Sequence, residues 1–276
     1  VLSAHYDHIG DCGGAICNGA CDNATAVAAV IGVACELAAS PPARSVLVAH
    51  WDAEEPPAFL TPDMGSEYFA TPPLVPLAST DAAIVLDLGG EDLWPGFRGH
   101  FVLGAETSAE VTAAVAATAA PAGLAVARGG LHLVEETPFG PQPWSDYDAF
   151  RNRGVPAVFP SDGQNKRYHQ PSDDVGAADF PKLSREARYL LALTRGLASA
   201  AATPVFDAAG ADPAADAATV QAALQQALGP GGIVEALALG TSSRDALTAD
   251  LDAVTAVAAR LHAGGAAYSE ALCDML

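Results

Sequence analysis

Short apolar runs alternating with helix-length stretches predict an α/β fold, with a mostly parallel central sheet flanked by helices on both faces and a helical extension at the C-terminal end. Three observations carry this expectation. Strand-like runs recur at 1–5, 44–50, 82–88, 100–104 and 155–159, most of them closed by glycine, proline or acidic residues. Helix-length segments lie at 24–39, which is almost entirely small and apolar, at 108–120 and at 185–201. From about Thr203 onward strand signals vanish, and the chain becomes Ala-rich with helical spacing.

With 276 residues the chain has room for one large α/β domain, or one domain with an appendage. The expected division is a core over 1–202 and a helical appendage over 203–276, the latter with no chemical motif of its own. Val220, Leu224, Leu228, Val254, Val257 and Leu261 mark its apolar spacing, and Gly229–Gly232 and Gly264–Gly265 break it into helices. Half of the residues are apolar, and no run of eighteen strongly apolar residues occurs, so no membrane span is expected. A formal charge of −20 argues against nucleic acid as a partner, because phosphate binding needs clustered Lys and Arg. Most of the acids read as a solvated surface. A few fall within or at the ends of apolar segments, where a carboxylate is costly unless it is paired or bound to a metal.

Taken in order, the opening strand ends in His5-Tyr6-Asp7-His8, with Gly10 close behind. The first residues show neither an initiator Met nor a leader pattern, and because they open in mid-strand the expectation is a chain cut from something longer. A Gly- and Cys-rich loop follows. Of the cysteines at 12, 17, 21, 35 and 273, the first three lie close together. Their spacing permits a Cys12–Cys17 disulfide; a zinc–thiolate site is the other reading, with no second cysteine pair to complete it. Asp22 then stands at the start of a helix over 24–39, apolar all round and expected to be buried, which Pro41-Pro42 stops. Taken alone, Asp22 reads as a helix cap.

A second buried strand at 44–50 runs into Glu54-Glu55, which elsewhere would be a solvated turn. Asp87 sits inside the third apolar run, where its charge needs a partner. Ser145–Arg153 reads as a short helix stopped by Gly154. The loop after 155–159 leads to Tyr168-His169 and the acidic pair Asp173-Asp174. His5, Asp7, Asp22, Glu54, Glu55, Asp87 and His169 mostly fall at or just beyond the carboxyl ends of strands, where open α/β sheets bind ligands. Carboxylates gathered there repel without cations, and two histidines with several acids suit a two-metal zinc site.

At this point the sequence resembles the co-catalytic two-zinc aminopeptidases and glutamate-carboxypeptidase-like metallopeptidases. The resemblance rests on Ser-Ala-His-Tyr-Asp-His-Ile-Gly (3–10), Asn-Gly-Ala-Cys-Asp-Asn-Ala (18–24), Ala-Glu-Glu (53–55), Met-Gly-Ser (64–66), Leu-Asp-Leu (86–88), Ser-Asp-Tyr (145–147) and Tyr-His-Gln-Pro-Ser-Asp (168–173). It covers about residues 1–200 and implies two Zn2+ ions bridged by Asp22 and a water or hydroxide. His5 and Asp87 would complete one ion's ligands, and Glu55 and His169 the other's. Asp7 would orient His5, and Glu54 would be the general base of peptide hydrolysis. His8 is left as a loop residue near the site.

The implied activity is that of an exopeptidase, most of all an aminopeptidase, acting on a peptide or aminoacyl substrate. Two alternatives are a non-catalytic or impaired peptidase-like domain and a glutaminyl-cyclase-like acyltransferase, which uses one zinc. Relatives of this kind are often exported. Cys21 stands where the family commonly has Asp, as either a neutral residue or a thiol near zinc. Asp148 stands where a histidine or small residue is more familiar. The family's strands before the first histidine have no counterpart, which is expected to expose a strand edge and lower stability. Side-chain specificity is expected in loops, including Asp92–Arg98 and Val134–Trp144.

Overall fold

The computed structural model describes residues 1–71, 75–94, 96–137 and 140–262. The Gly264–Gly265 break, Cys273 and the side chain of Leu261 lie outside the described residues, as do Pro95, Pro138 and Phe139 of the two specificity loops.

Along the chain the elements are β1 (Leu2–His5), β2 (Gly10–Asp11), β3 (Ile16–Cys17), α1 (Thr25–Ala39), β4 (Val48–Trp51), α2 (Gly65–Ala70), β5 (Ala83–Val85), β6 (Gly99–Leu103), α3 (Ala109–Ala117), β7 (Ala125–Gly129), α4 (His132–Glu135), α5 (Tyr147–Arg151), β8 (Ala157–Ser161), α6 (Phe180–Ser199), α7 (Pro213–Leu228), α8 (Ile233–Ala236) and α9 (Thr241–His262). Six strands form one sheet in the order β4-β1-β5-β8-β6-β7. Neighbours are parallel except β6 and β8. The carboxyl ends of β4, β1, β5 and β8 therefore lie side by side.

Alternation along the strands divides the core into two layers. Leu2, Ala4, Ile84, Leu86, Val102 and Val158 pack with α1, α3 and α6, whereas Ala83, Val85, Leu103, Ala157 and Phe159 pack with Tyr147 and Phe150 of α5. Helix α1 buries one face, through Ala26, Ala29, Val30, Val33 and Leu37, rather than its whole surface. Its outer face carries Ile31, half exposed, because the sheet covers only one side of it. By length and composition 20–39 would reach across a membrane, but here it is a core helix lying on the sheet.

Two further expectations change. The run 44–50 is not a buried strand: β4 begins at Val48, which is exposed at the sheet edge. Arg44 is drawn instead to the end of α6, donating to Leu197 O (3.0 Å) and Ala200 O (2.6 Å) while its Nε lies 2.9 Å from Asp81. Helix α6 starts at Phe180 rather than at 185, because the Asp179 side chain accepts the Lys182 N–H (2.8 Å) and Pro181 sits in the first turn. The Cys12–Cys17 disulfide closes the β2–β3 hairpin, while Cys21 and Cys35 are free. A cavity of about 730 Å³ bordered by Val1, Arg44, Leu47 and Ala82 lies at the amino ends of the strands, away from the acidic cluster.

Helix α7 lies along β7. Thr219 donates to Arg128 O (2.6 Å), and the fully buried Asp216 accepts the Gly130 N–H (2.7 Å) and stands 3.4 Å from His132 Nε2. The Asp216 contact raises the pKa of His132 against the opposing effect of burial. Burial also raises the pKa of Glu106, which accepts the Leu131 N–H. The folded chain thus holds these protons to higher pH than the unfolded chain. Their contribution is full below the unfolded values and is lost as pH rises through the folded ones. In zinc-free protein, urea unfolding should show stability falling as pH rises past the ordinary histidine value of about 6.5, and His132→Gln should flatten part of that fall.

Candidate metal centre

The four parallel strand ends deliver the predicted residues to one place. His5 closes β1. Glu54 and Glu55 follow β4 after Ala53, Asp87 stands two residues beyond β5, and Asp22 lies in the turn that enters α1. All five are buried, and they meet His169 from the loop after β8. Asp22 does not cap α1. Its Oδ1 is 3.4 Å from His5 Nε2, and its Oδ2 is 3.4 Å from His169 Nε2. His5 Nε2 also lies 3.2 Å from Asp87 Oδ1 and 3.8 Å from Glu54 Oε2, and His169 Nε2 lies 3.1 Å from Glu55 Oε2.

The backbone is forced locally to achieve this. Ala53 (φ +58°), Leu88 (φ +61°) and His169 (φ +56°) are in the left-handed region without being glycine. Each is, or adjoins, a member of the cluster. Strain of about 1–3 kcal/mol per residue persists only where surroundings over-determine it, and it concentrates at functional sites. The restraints are visible. Leu88 N–H donates to Asn23 Oδ1 (3.2 Å) and Asn23 Nδ2 to Leu86 O (3.1 Å). The Tyr168 ring stacks on His169 at 3.7 Å. The Asp22–Asn23 peptide is cis.

Asp7 positions three members of the cluster, His5, Glu54 and Glu55. Its backbone carbonyl is 3.2 Å from His5 Nδ1. A carbonyl can only accept, so Nδ1 carries a hydrogen and Nε2 is the nitrogen turned toward Asp22 and Asp87, where it could ligate a metal ion once its own proton is lost. Its carboxylate accepts the N–H groups of Glu54 (3.1 Å) and Glu55 (3.0 Å), pinning the adjacent glutamates. Asp173 was missed as a positioning group: it is buried, and it accepts from Cys21 N (2.8 Å) and Asp22 N (3.0 Å), which fixes the turn carrying Asp22. His8, expected as a loop residue near the site, lies against the cluster. Its side chain is only 9% exposed, and Nδ1 stands 2.8 Å from Glu55 Oε1 and 3.9 Å from Asp22 Oδ2. Gly19 stands beside it, at φ +64°, where a Cβ would meet the Asp22 backbone carbonyl at 2.4 Å and the His8 ring at 2.5 Å.

Burial opposes charge throughout the cluster, and partners decide the outcome. For His5 burial lowers the pKa, but Asp87, Asp22 and Asp7 together hold it well above the usual histidine value. His169 is raised in the same way by Asp22 and Glu55. For Asp22 burial is outweighed by His169 and His5, which bring it down to about 2. Glu54 lies in an environment where burial wins, helped by the charges of Asp87, Asp146 and Glu55, and its pKa is raised well above that of a free glutamate. Behind it the fully buried Asp146 is pushed up to about 7 by burial.

Cys21 and Asp148 take no part in the donor cluster. The Cys21 thiol is pushed up to about 12, first by burial and then by Asp173, and it groups with Glu91 and Asp173 beside Arg167, which is ion-paired to Glu91. Asp148 is buried and accepts from Arg151 (2.6 Å) and Asn152 (2.7 Å). Arg151 in turn binds Glu135, which accepts the Tyr147 hydroxyl.

The residues fit zinc. Two donor groups, His5/Asp22/Asp87 and His8/Asp22/Glu55, bring their ligating atoms within 4.8 Å of one another, and they share Asp22. The contacts of 3.2 and 3.4 Å around His5 match the roughly 3.3 Å edge of a tetrahedron built on bonds of about 2.0–2.1 Å.

Fold and donor set together define an α/β protein with a candidate metal centre at its strand ends. More narrowly, the chain belongs to peptidase family M28, whose profile residues 1–194 match. Similar solved structures include an aminopeptidase from Aneurinibacillus sp. strain AM-1 (18% identity, TM-score 0.55, covering 75% of this chain and 45% of that one). BSAP, a zinc aminopeptidase from Bacillus subtilis, gives 18% identity, TM-score 0.55 and coverage of 75% and 48%. A Zn-dependent exopeptidase from Parabacteroides distasonis gives 19% identity, TM-score 0.52 and coverage of 69% and 70%. The chain thus spans about half the length of the first two. No curated protein matches it in sequence.

The Asp173 contact is testable without metal. Asp173→Asn removes the charge and turns an N–H donor toward one of two N–H groups. In urea unfolding of the zinc-free chain the loss should be about 2 kcal/mol or more, the scale of hydrogen bonds to a charged group. A loss under about 0.5 kcal/mol would contradict the positioning role.

Proposed function

We propose that the chain carries the catalytic centre of a two-zinc exopeptidase of the aminopeptidase type. The observation that carries this reading is the pairing of two donor sets on Asp22 with a buried glutamate at their edge. His5 and Asp87 would hold one ion with Asp22, and Glu55 and His169 would hold the other. When bound, zinc lowers the pKa of its water to about 7 and polarises a carbonyl oxygen.

The remaining work falls to the protein's own groups. Glu54 accepts a proton at its carboxylate and returns it to the departing amine, the dual task of a general base and acid. Asp7 holds Glu54 and Glu55 by their N–H groups, so the two neighbouring side chains can take different tasks. His5 keeps its Nε2 turned toward the centre through the Nδ1–H bond to Asp7 O.

Two arguments favour a free amino terminus over a free carboxylate on the substrate. Carboxylates crowd the site, and an ammonium group is the matching charge. A carboxypeptidase needs a cation to hold the terminal carboxylate, and the arginine beside the cluster, Arg167, is already paired with Glu91. The similar aminopeptidase structures are in keeping with this choice.

Glu54→Gln should keep zinc content unchanged while turnover of aminoacyl substrates falls by at least about 10²–10⁴-fold. The check is metal analysis beside a panel of aminoacyl and N-blocked dipeptide substrates, with and without chelator. Cleavage of the N-blocked substrates alone would overturn the aminopeptidase assignment, and retained turnover would overturn the role of Glu54.

A further inference from the structure

Lys182 lies in the first turn of α6 and is completely buried. The place is doubly unfavourable for an ammonium group, because burial strips its water and a helix N-terminus is itself positive. Its surroundings offset both. Nζ donates to Glu91 O (2.6 Å) and stands 3.1 Å from Asp162 Oδ2, 3.5 Å from Asp92 Oδ1 and 3.9 Å from Glu186 Oε1. Asp162 and Glu186 are almost as deeply buried, and His100 Nδ1 lies 2.9 Å from the other Asp162 oxygen. His100, Asp162 and Glu186 bring their ligating atoms together as a metal triad would, but the cation set among the acids is the Lys182 ammonium.

These groups hold the segment that leaves the metal centre after Asp87. In residues 88–91 each N–H donates and each C=O accepts. Leu88 N–H donates to Asn23 Oδ1 (3.2 Å), and Leu88 O accepts the Asp162 N–H (2.7 Å). Gly89 N–H donates to Cys21 O (3.4 Å), and Gly89 O accepts the Thr25 hydroxyl (2.6 Å). The next two residues are held by Lys182 and its partners. Gly90 N–H donates to Glu186 Oε2 (2.9 Å), Glu91 N–H donates to Asp162 Oδ2 (3.1 Å), and Glu91 O accepts from Lys182 itself. Gly90 O accepts the N–H of Asp179 (2.6 Å), the residue whose side chain caps α6 at the Lys182 N–H. Without a cation, two buried carboxylates would repel across this segment. Burial and the Asp162 charge together push the Glu186 carboxyl well above the usual carboxylate range, and the Lys182 charge opposes them.

We propose that Lys182 is a positioning residue for the ion held by His5, Asp22 and Asp87. Its ammonium gathers Asp162, Glu186 and the Glu91 carbonyl, and these fix residues 88–91 and with them the direction of Asp87. Leu88, at φ +61°, is held in the left-handed region between this buried cluster and Asp87. The inference rests on the two-zinc reading above and adds to it a dependence of one ion on an interior charge. The partners of that charge, Glu91, Asp92, Asp162 and Glu186, are not themselves ligands of either ion. Glu55, which belongs to the other ion, is held by Asp7 instead.

The test compares Lys182→Met, which keeps volume and removes the charge, with Leu193→Ala, which loosens the same helix at a buried apolar residue. The full chain carries 15N-histidine and is loaded with 113Cd. Coupling to His5 or to His169 identifies each ion, and chelator competition gives its affinity. In Lys182→Met the ion coupled to His5 should be bound about 10–100-fold more weakly, with the ion coupled to His169 changed by less than about threefold. In the metal-free chain the Gly90 and Glu91 amide hydrogens of Lys182→Met should exchange at least about tenfold faster than those of Leu193→Ala. If Lys182→Met does not fold, Lys182→Met/Glu186→Gln removes the ammonium together with one acid and carries the same expectations. Equal weakening of both ions, or weakening of neither, would overturn the positioning role and leave the two-zinc reading standing. Exchange at Gly90 and Glu91 no faster than in Leu193→Ala would do the same. Binding of no more than one ion by the unaltered protein would instead overturn the two-zinc reading, and the inference with it.

Discussion

Asp22 is the group on which the rest of the site depends. It is a buried carboxylate placed between two imidazoles, with one oxygen turned to His5 and the other to His169. Around it the strand ends gather Glu54, Glu55 and Asp87, which would drive one another apart in an interior of low dielectric. Holding them together takes restraint from below. Asp173 grips the turn at Cys21 and Asp22, Asp7 grips the Glu54–Glu55 turn, and Asn23 ties the chain on both sides of Asp87. The left-handed residues Ala53, Leu88 and His169 mark where the chain yields to these demands. A parallel arrangement of β4, β1, β5 and β8 is what brings the four ends to a common edge.

The frame, and the acids and histidines that gather at its strand ends, were legible in the sequence because both rest on local patterns. Strand-like runs that end in His, Glu-Glu or Leu-Asp-Leu combine a buried period with an acid at its end, and few surface segments do that. Asp22 alone was ambiguous, since a helix start explains an acid equally well; only its contacts with His5 and His169 remove capping as its role. The groups that position the donors were hidden for a different reason. Asp173 acts over 151 residues of sequence separation on a backbone N–H, and no composition or period records such a contact. His8 lies one residue beyond Asp7 but folds back through a turn, so its direction depends on the hairpin that follows.

Element edges are set by contacts that local composition does not carry. The run at 44–50 has the composition of a buried strand, yet Arg44 is recruited by Asp81 and by the end of α6, which leaves only Val48–Trp51 to pair with β1. The start of α6 was legible in principle from Asp179 and Pro181, a cap followed by a proline in the first turn. The apolar circumference of α1 overstated its burial because alanine and glycine tolerate an exposed face as well as a buried one. At the other end of the sheet, β7 is covered by α7 through Asp216 and Thr219, a polar attachment that apolar spacing does not reveal.

The most direct measurement is anomalous diffraction at the zinc edge from crystals of the zinc-loaded chain. Two peaks roughly 3.5–4 Å apart are expected, one on each side of the Asp22 carboxylate, the first beside His5 and Asp87 and the second beside Glu55 and His169. A single peak, or two peaks not shared by Asp22, would contradict the two-zinc centre.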